Sequence, residues 1–221
     1  MLLTLFLRFS LLLAILAALL FAAAGRTDLP FFWAYLFIFG AVGMIGSLVV
    51  HRRDPTLFRE RLRPGPGGKD PHMRLLAALC GLVTLVAAGL DAGRYHWSRV
   101  PPPVQLTALL LVAMTLAMWM WAMATNRFFS SDARIQRDRG HCVISDGPYR
   151  FVRHPGYAVA IILFLATPVA LGSWWALLPV APLVALFLRR TSIEDRLLCA
   201  ELEGYADYAA RVRYRLIPGL W

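Results

Sequence analysis

The chain has 221 residues, 59% of them hydrophobic and 16% charged, with a mean hydropathy of +0.59. That balance excludes an ordinary soluble domain and points to a chain built for lipid. The formal net charge of +10, from 23 Lys+Arg against 13 Asp+Glu, requires no nucleic acid, because anionic headgroups satisfy it.

Read with a window of about 19 residues, apolar runs cover Leu2–Ala24, Pro30–Val50, Met73–Leu90 and Val104–Thr125. Each is near the roughly 20 residues that span hydrocarbon as a helix. The first could pass for a signal peptide, but no small-residue cleavage site follows before Gly25-Arg26 and more spans come after, so it is read as a helix. In the second, Gly40, Gly43, Gly46 and Ser47 predict close helix packing, with Gly43 and Gly46 on one face. The sequence Arg-Pro-Gly-Pro-Gly-Gly-Lys-Asp-Pro at 63–71 predicts a mobile, non-helical loop, flanked by His51 and His72 at the edges of spans. Pro101-Pro102-Pro103 suits the start of the fourth span. A last stretch, Ala158–Leu188, is long enough for two short helices turning at Gly172-Ser173. Beyond it, Leu197, Leu198, Leu202, Tyr205 and Tyr208 recur at helical spacing. The predicted fold class is all-α: a polytopic membrane protein with about six transmembrane helices, the last two a tight hairpin, followed by a cytoplasmic amphipathic tail helix.

Charge orients this reading. Arg26, Arg94 and Arg99 fall in the loops after spans one and three, and the remaining basic residues lie on the other side. By the positive-inside pattern both termini are cytoplasmic, and an integral protein of a bacterial inner membrane is expected. Two regions follow: a four-helix membrane region at 1–125 and a polar-rich region at 126–221. Cys80, Cys142 and Cys199 show no CxxC spacing, so no metal or disulfide is expected. No Gly-rich phosphate loop is present.

Chemistry concentrates at Asp-Gly-Pro-Tyr-Arg-Phe-Val-Arg-His-Pro-Gly-Tyr, residues 146–157. Pro155 biases His154 away from helix and starts the fifth span. The amides of Gly156 and Tyr157 then form a helix N-terminus that attracts anions, reinforced by Arg150 and Arg153. A tight hairpin returns Glu194 and Asp195 to the same face, opposite His154. Anion-binding and cation-binding groups beside lipid would suit a zwitterion carrying an adenosine, with Tyr149, Tyr157 and Tyr205 to cover a purine or a sulfonium. Arg213 and Arg215 read as headgroup contacts, Tyr205 and Tyr208 also as interfacial belt aromatics, and Trp174 and Trp175 as anchors on the far side.

In order, Gly147-Pro148-Tyr149, Arg153-His154-Pro155-x-Tyr157, Glu194-Asp195-x-x-Leu198, Tyr205-x-x-Tyr208-x-x-Arg211-Val212 and Ile217-Pro218 resemble the isoprenylcysteine carboxyl methyltransferase family over roughly 145–221, and related membrane phospholipid methyltransferases. The resemblance implies S-adenosylmethionine as cofactor and a lipophilic or prenylated substrate reaching the site from the bilayer. It implies cofactor contacts from Tyr149, Arg153, His154, Pro155, Tyr157, Glu194 and Tyr205, and a role for Arg211 in positioning the methyl acceptor or pinning the tail. The chain departs from the family where Glu194-Asp195 replaces a Glu-Glu pair, Glu203-Gly204 replaces Phe-Gly, and Arg213 follows Val212 in place of proline. Three other readings fit parts of the pattern: an NADPH-dependent membrane reductase of the sterol type, a phospholipid N-methyltransferase, and a non-catalytic membrane module.

Overall fold

The computed structural model describes residues 2–62 and 72–221; the stretch at 63–71, expected to be a loop, lies outside the described residues. Eight α-helices follow in chain order: α1 (Leu2–Ala24), α2 (Pro30–Arg53), α3 (Leu57–Leu62), α4 (Met73–Ala88), α5 (Pro102–Thr125), α6 (Pro155–Ala170), α7 (Val180–Glu201) and α8 (Tyr205–Arg211). No strand occurs among the described residues. Proline opens α2, α5 and α6, where its missing N–H has no intrahelical partner to lose.

Five of the described helical segments are long and apolar enough to cross a membrane: Leu3–Ala24, Pro30–Arg53, Leu75–Tyr95, Pro102–Thr125 and Trp175–Glu201. The expected fifth span is the exception, since α6 has only 16 residues, about 24 Å of helix. The outer surfaces of α1 and α2 leave Leu3, Phe6, Leu11, Phe37 and Ile45 exposed, as lipid contact requires.

The main core lies where α1, α2, α5 and α6 meet, around Leu20, Phe32, Val112 and Leu171. Glycine permits close approach in α2, but Gly43 and Gly46 serve different neighbours. A Cβ on Gly43 would meet the Phe9 ring of α1 at 2.6 Å, and one on Gly46 would collide with Met120 of α5.

Two features depart from the hydropathy reading. The third span continues past Leu90 as π-helical turns at Gly89–Tyr95, carrying the fully buried Asp91. Its carboxylate accepts hydrogen bonds from Ser98 N (2.8 Å), Ser98 Oγ (2.5 Å) and Ser173 Oγ (2.6 Å), so the α6–α7 turn is tied to the end of α4. Trp174 and Trp175 beside that turn stay exposed. The second departure is the tail, which is not one amphipathic helix. The α7 helix runs on to Glu201. The chain then reverses at Gly204, whose φ of 76° is a conformation that penalises a side chain, and α8 spans only Tyr205–Arg211. Residues 212–221 fold back on the start of α6, where Arg153 N donates to Tyr214 O and His154 N to Arg215 O, both at 2.9 Å.

Candidate active site

The α6–α7 hairpin brings the motif residues together because α7 presents Arg190, Thr191, Glu194, Asp195 and Leu198 on one face, at i, i+4 spacing. Facing them is the N-terminus of α6. Over the top lies the connection at 126–144, whose Ile135 and Val143 pack on Leu198, Leu202, Tyr205 and Tyr208. Between these walls is a cavity of about 230 Å³. Tyr149, Arg153, His154, Tyr157, Glu194 and Tyr205, six of the sequence-predicted residues, line it. Pro155 is buried at the first position of α6 and shapes the wall without lining it.

The two acids of the Glu194-Asp195 pair have separate tasks. Asp195, 3% exposed, is the hub. Its Oδ1 accepts from Arg153 Nε (2.8 Å) and Tyr205 OH (3.1 Å) and lies 3.1 Å from His154 Nε2, while its Oδ2 accepts from Arg153 Nη2 (2.9 Å) and Arg215 Nε (2.8 Å). Arg153 Nη1 donates to the Val212 and Arg213 carbonyls, both at 2.8 Å. Burial opposes the charge of Arg153, but the hydrogen bond and field of Asp195 outweigh it and raise its pKa. Burial, followed by the nearby Asp195 charge, pushes the Tyr205 hydroxyl far up and keeps it a donor.

Glu194 faces the cavity instead. Its Oε2 accepts from Tyr157 OH at 2.6 Å, and that hydroxyl accepts from Arg190 Nε at 2.7 Å. Arg190 Nη2 also donates to Ser131 O of the overlying connection at 2.5 Å. Arg190 thus becomes part of the cavity wall.

Sequence reasoning missed the roof. Phe128, Phe129, Ser130, Arg134, His141 and Cys142 all line the cavity from the 126–144 connection, which read only as the start of a polar-rich region. Its signal was the density of polar residues between two spans. Glu60 of α3 accepts from Arg134 Nε and Nη2 (3.1 and 2.9 Å) and from Ser130 Oγ (3.2 Å), fixing the roof to the α2–α3 segment. His141 Nδ1 accepts the Gln136 amide at 3.2 Å, so in the neutral ring the hydrogen resides on Nε2. Burial lowers its pKa, against the pull of Glu194 and with the push of Arg134 and Arg139.

The start of α6 at Gly156 packs against the Phe129 ring, so that a Cβ there would lie 2.5 Å from Phe129, and the Tyr157 amide bonds the His154 carbonyl. Several expectations are corrected. Tyr205 and Tyr208 are buried, not belt aromatics, and Tyr208 OH donates to Tyr149 O at 2.7 Å. Arg215 bonds Asp195 and not a headgroup. Arg211 stands exposed at the end of α8, outside the cavity lining, and the tail is held by Arg153 and Arg215. Among the described residues no cluster of His, Cys, Asp or Glu could hold a metal ion.

Helices of membrane-spanning length around a cavity that is apolar at one end and lined by acidic and basic side chains at the other define a polytopic helical membrane protein. Residues 106–200 match the Isoprenylcysteine carboxyl methyltransferase (ICMT) family, which upholds the resemblance carried by the motifs and supports a membrane methyltransferase. No curated protein matches the chain.

Proposed function

We propose that the chain transfers a methyl group from S-adenosylmethionine to a lipophilic acceptor, an isoprenylcysteine-type carboxylate or another small hydrophobic acid or thiol. The observation that carries this reading is the division of labour between the two acids. With Asp195 saturated by two guanidiniums, Glu194 is the member of the pair that faces the cavity, which Asp132 also lines, and it is placed to take an ammonium or ribose hydroxyls. The donor set fits the cofactor on its other sides as well. Phe128, Tyr149, Tyr157 and Tyr205 supply aromatic lining that could contact a purine, and His141 Nε2–H offers a donor. When bound, S-adenosylmethionine supplies an electrophilic methyl group.

Met73, Ala77, Trp119, Phe164 and Phe187 form the apolar end of the cavity and would hold the acceptor's lipophilic part. An ionised carboxylate needs alignment more than deprotonation, so for it these walls orient the acceptor and no general base is assigned; a thiol acceptor would give up its proton, and His154 in the lining is the candidate base to take it. By the charge asymmetry the site faces the cytoplasm, and the family resemblance implies an acceptor that arrives from the bilayer. An NADPH reductase fits less well: of the lining arginines that could meet its extra phosphate, Arg134 and Arg153 are each already matched by a carboxylate, and Arg190 bonds Tyr157 and Ser131.

Calorimetric titration of the purified protein with S-adenosylhomocysteine and with NADPH tests the reading; binding of the first and not the second is expected, and the reverse overturns it. Mass spectrometry of membrane lipids after incubation with methyl-labelled S-adenosylmethionine then names the acceptor class.

A further inference from the structure

We propose that Arg215 is a positioning residue, whose ion pair with Asp195 latches the 212–221 tail onto α6 and so sets the cavity wall made by His154 and Tyr205. Asp195 is one buried carboxylate shared by four side chains: two, Arg153 and His154, from the start of α6, one, Tyr205, from α8, and one, Arg215, from the tail. Of these four, Arg215 alone reaches Asp195 from the returning tail. The same tail segment pairs its backbone with Arg153 and His154 and supplies the Val212 and Arg213 carbonyls that Arg153 uses. Arg215 is itself braced. Its amide donates to Trp221 O at 2.9 Å, and the adjoining Leu216 is buried. Its guanidinium sits 5.3 Å from the Trp221 ring centroid, within reach of a cation–π attraction. Undocking the tail would therefore remove one partner from Asp195 and three acceptors from the Arg153 side chain and backbone. His154 and Tyr205, which line the cavity, share the Oδ1 whose position this network fixes.

The geometry separates the two arginines. Arg153 grips Asp195 with two nitrogens, a fork that lysine cannot reproduce, whereas Arg215 uses Nε alone, a single contact that a lysine ammonium can replace. The Arg215 side chain is 31% exposed. Its loss therefore takes the low end of the effect of losing a hydrogen bond to a charged group, about tenfold.

The ligand arm of the test rests on S-adenosylmethionine being the cofactor; the exchange arm does not. Hydrogen exchange of the full chain in lipid nanodiscs is compared for wild type, Arg215→Ala, Arg215→Gln, Arg215→Lys and the charge control Arg213→Ala. We expect Arg215→Ala and Arg215→Gln to speed exchange about tenfold in peptides covering 212–221 and 151–157, with α2 and α5 unchanged. Arg215→Lys restores protection, and Arg213→Ala matches wild type. S-Adenosylhomocysteine binding follows the same order, about tenfold weaker in Arg215→Ala and near wild type in Arg215→Lys. Unchanged exchange in Arg215→Ala, loosening confined to 212–221, or failure of lysine to restore overturns the latch. If wild type binds no S-adenosylhomocysteine, the cofactor assignment fails, and the exchange pattern still decides the latch.

Discussion

Replacing Asp195 with Asn keeps the shape of the hub and removes its charge. Arg153, 8% exposed, then loses the carboxylate it grips with two nitrogens. Breaking a buried ion pair from one side costs about 3–5 kcal/mol. Arg153 keeps the Val212 and Arg213 carbonyls, which places the loss near the lower end, about 3 kcal/mol. Losing the Arg215 contact adds about 1.4 kcal/mol, the tenfold effect of one hydrogen bond to a charged group. At about 2–4 °C per kcal/mol for a chain of this size, the combined loss of about 4.4 kcal/mol lowers the unfolding midpoint by about 9–18 °C. Thermal unfolding followed by tryptophan fluorescence, in one detergent at one concentration, measures this. The double variant Asp195→Asn/Arg215→Ala should lose little more than Asp195→Asn alone, since both remove the same contact. A loss under about 1 kcal/mol for Asp195→Asn, or full additivity in the double variant, would refute the assignment of Asp195 as the structural centre of the site.

Glu194→Gln removes charge from the cavity-facing acid and leaves the hub intact, so S-adenosylhomocysteine affinity should drop by at least about tenfold while the unfolding midpoint stays near wild type; calorimetry and the same melt check both. Gly156→Ala places a methyl 2.5 Å from the Phe129 ring, and the ring and its connection must shift. Protection of peptides across 126–144 should fall, with ligand affinity falling alongside. The His141 pKa is lowered by burial, so between the unfolded value of about 6.5 and the lower folded value the unfolded chain binds more protons. Stability therefore declines as pH falls through that window, and His141→Gln should flatten the decline in melts run across it.

The helices of this protein were legible because their cause is local. A run of apolar residues of sufficient length, opened by proline at Pro30 or Pro102, becomes a membrane helix whatever its neighbours are. The turn at Gly172-Ser173 and the juxtaposition of His154 with the acid pair followed from connectivity alone. The cavity's roof was not legible, because Ser130, Arg134 and His141 lie in irregular chain whose path is set by Glu60, 70 residues or more away for Ser130 and Arg134. The tail was misread for a related reason. Its apolar residues keep helical spacing across Gly204, yet the left-handed turn there breaks the helix and sends Arg215 back to Asp195.

The sequence by itself determined that this chain lives in a membrane as helices, and that a His-Pro helix start meets an acid pair across a short hairpin. It also fixed which family's motifs are present. Only the tertiary structure decided which acid does what. Glu194 and Asp195 are adjacent in sequence and nearly identical in chemistry, but successive residues on a helix point about 100° apart. One side chain therefore opens on the cavity, and the other is buried among guanidiniums that arrive from the start of α6 and from the tail.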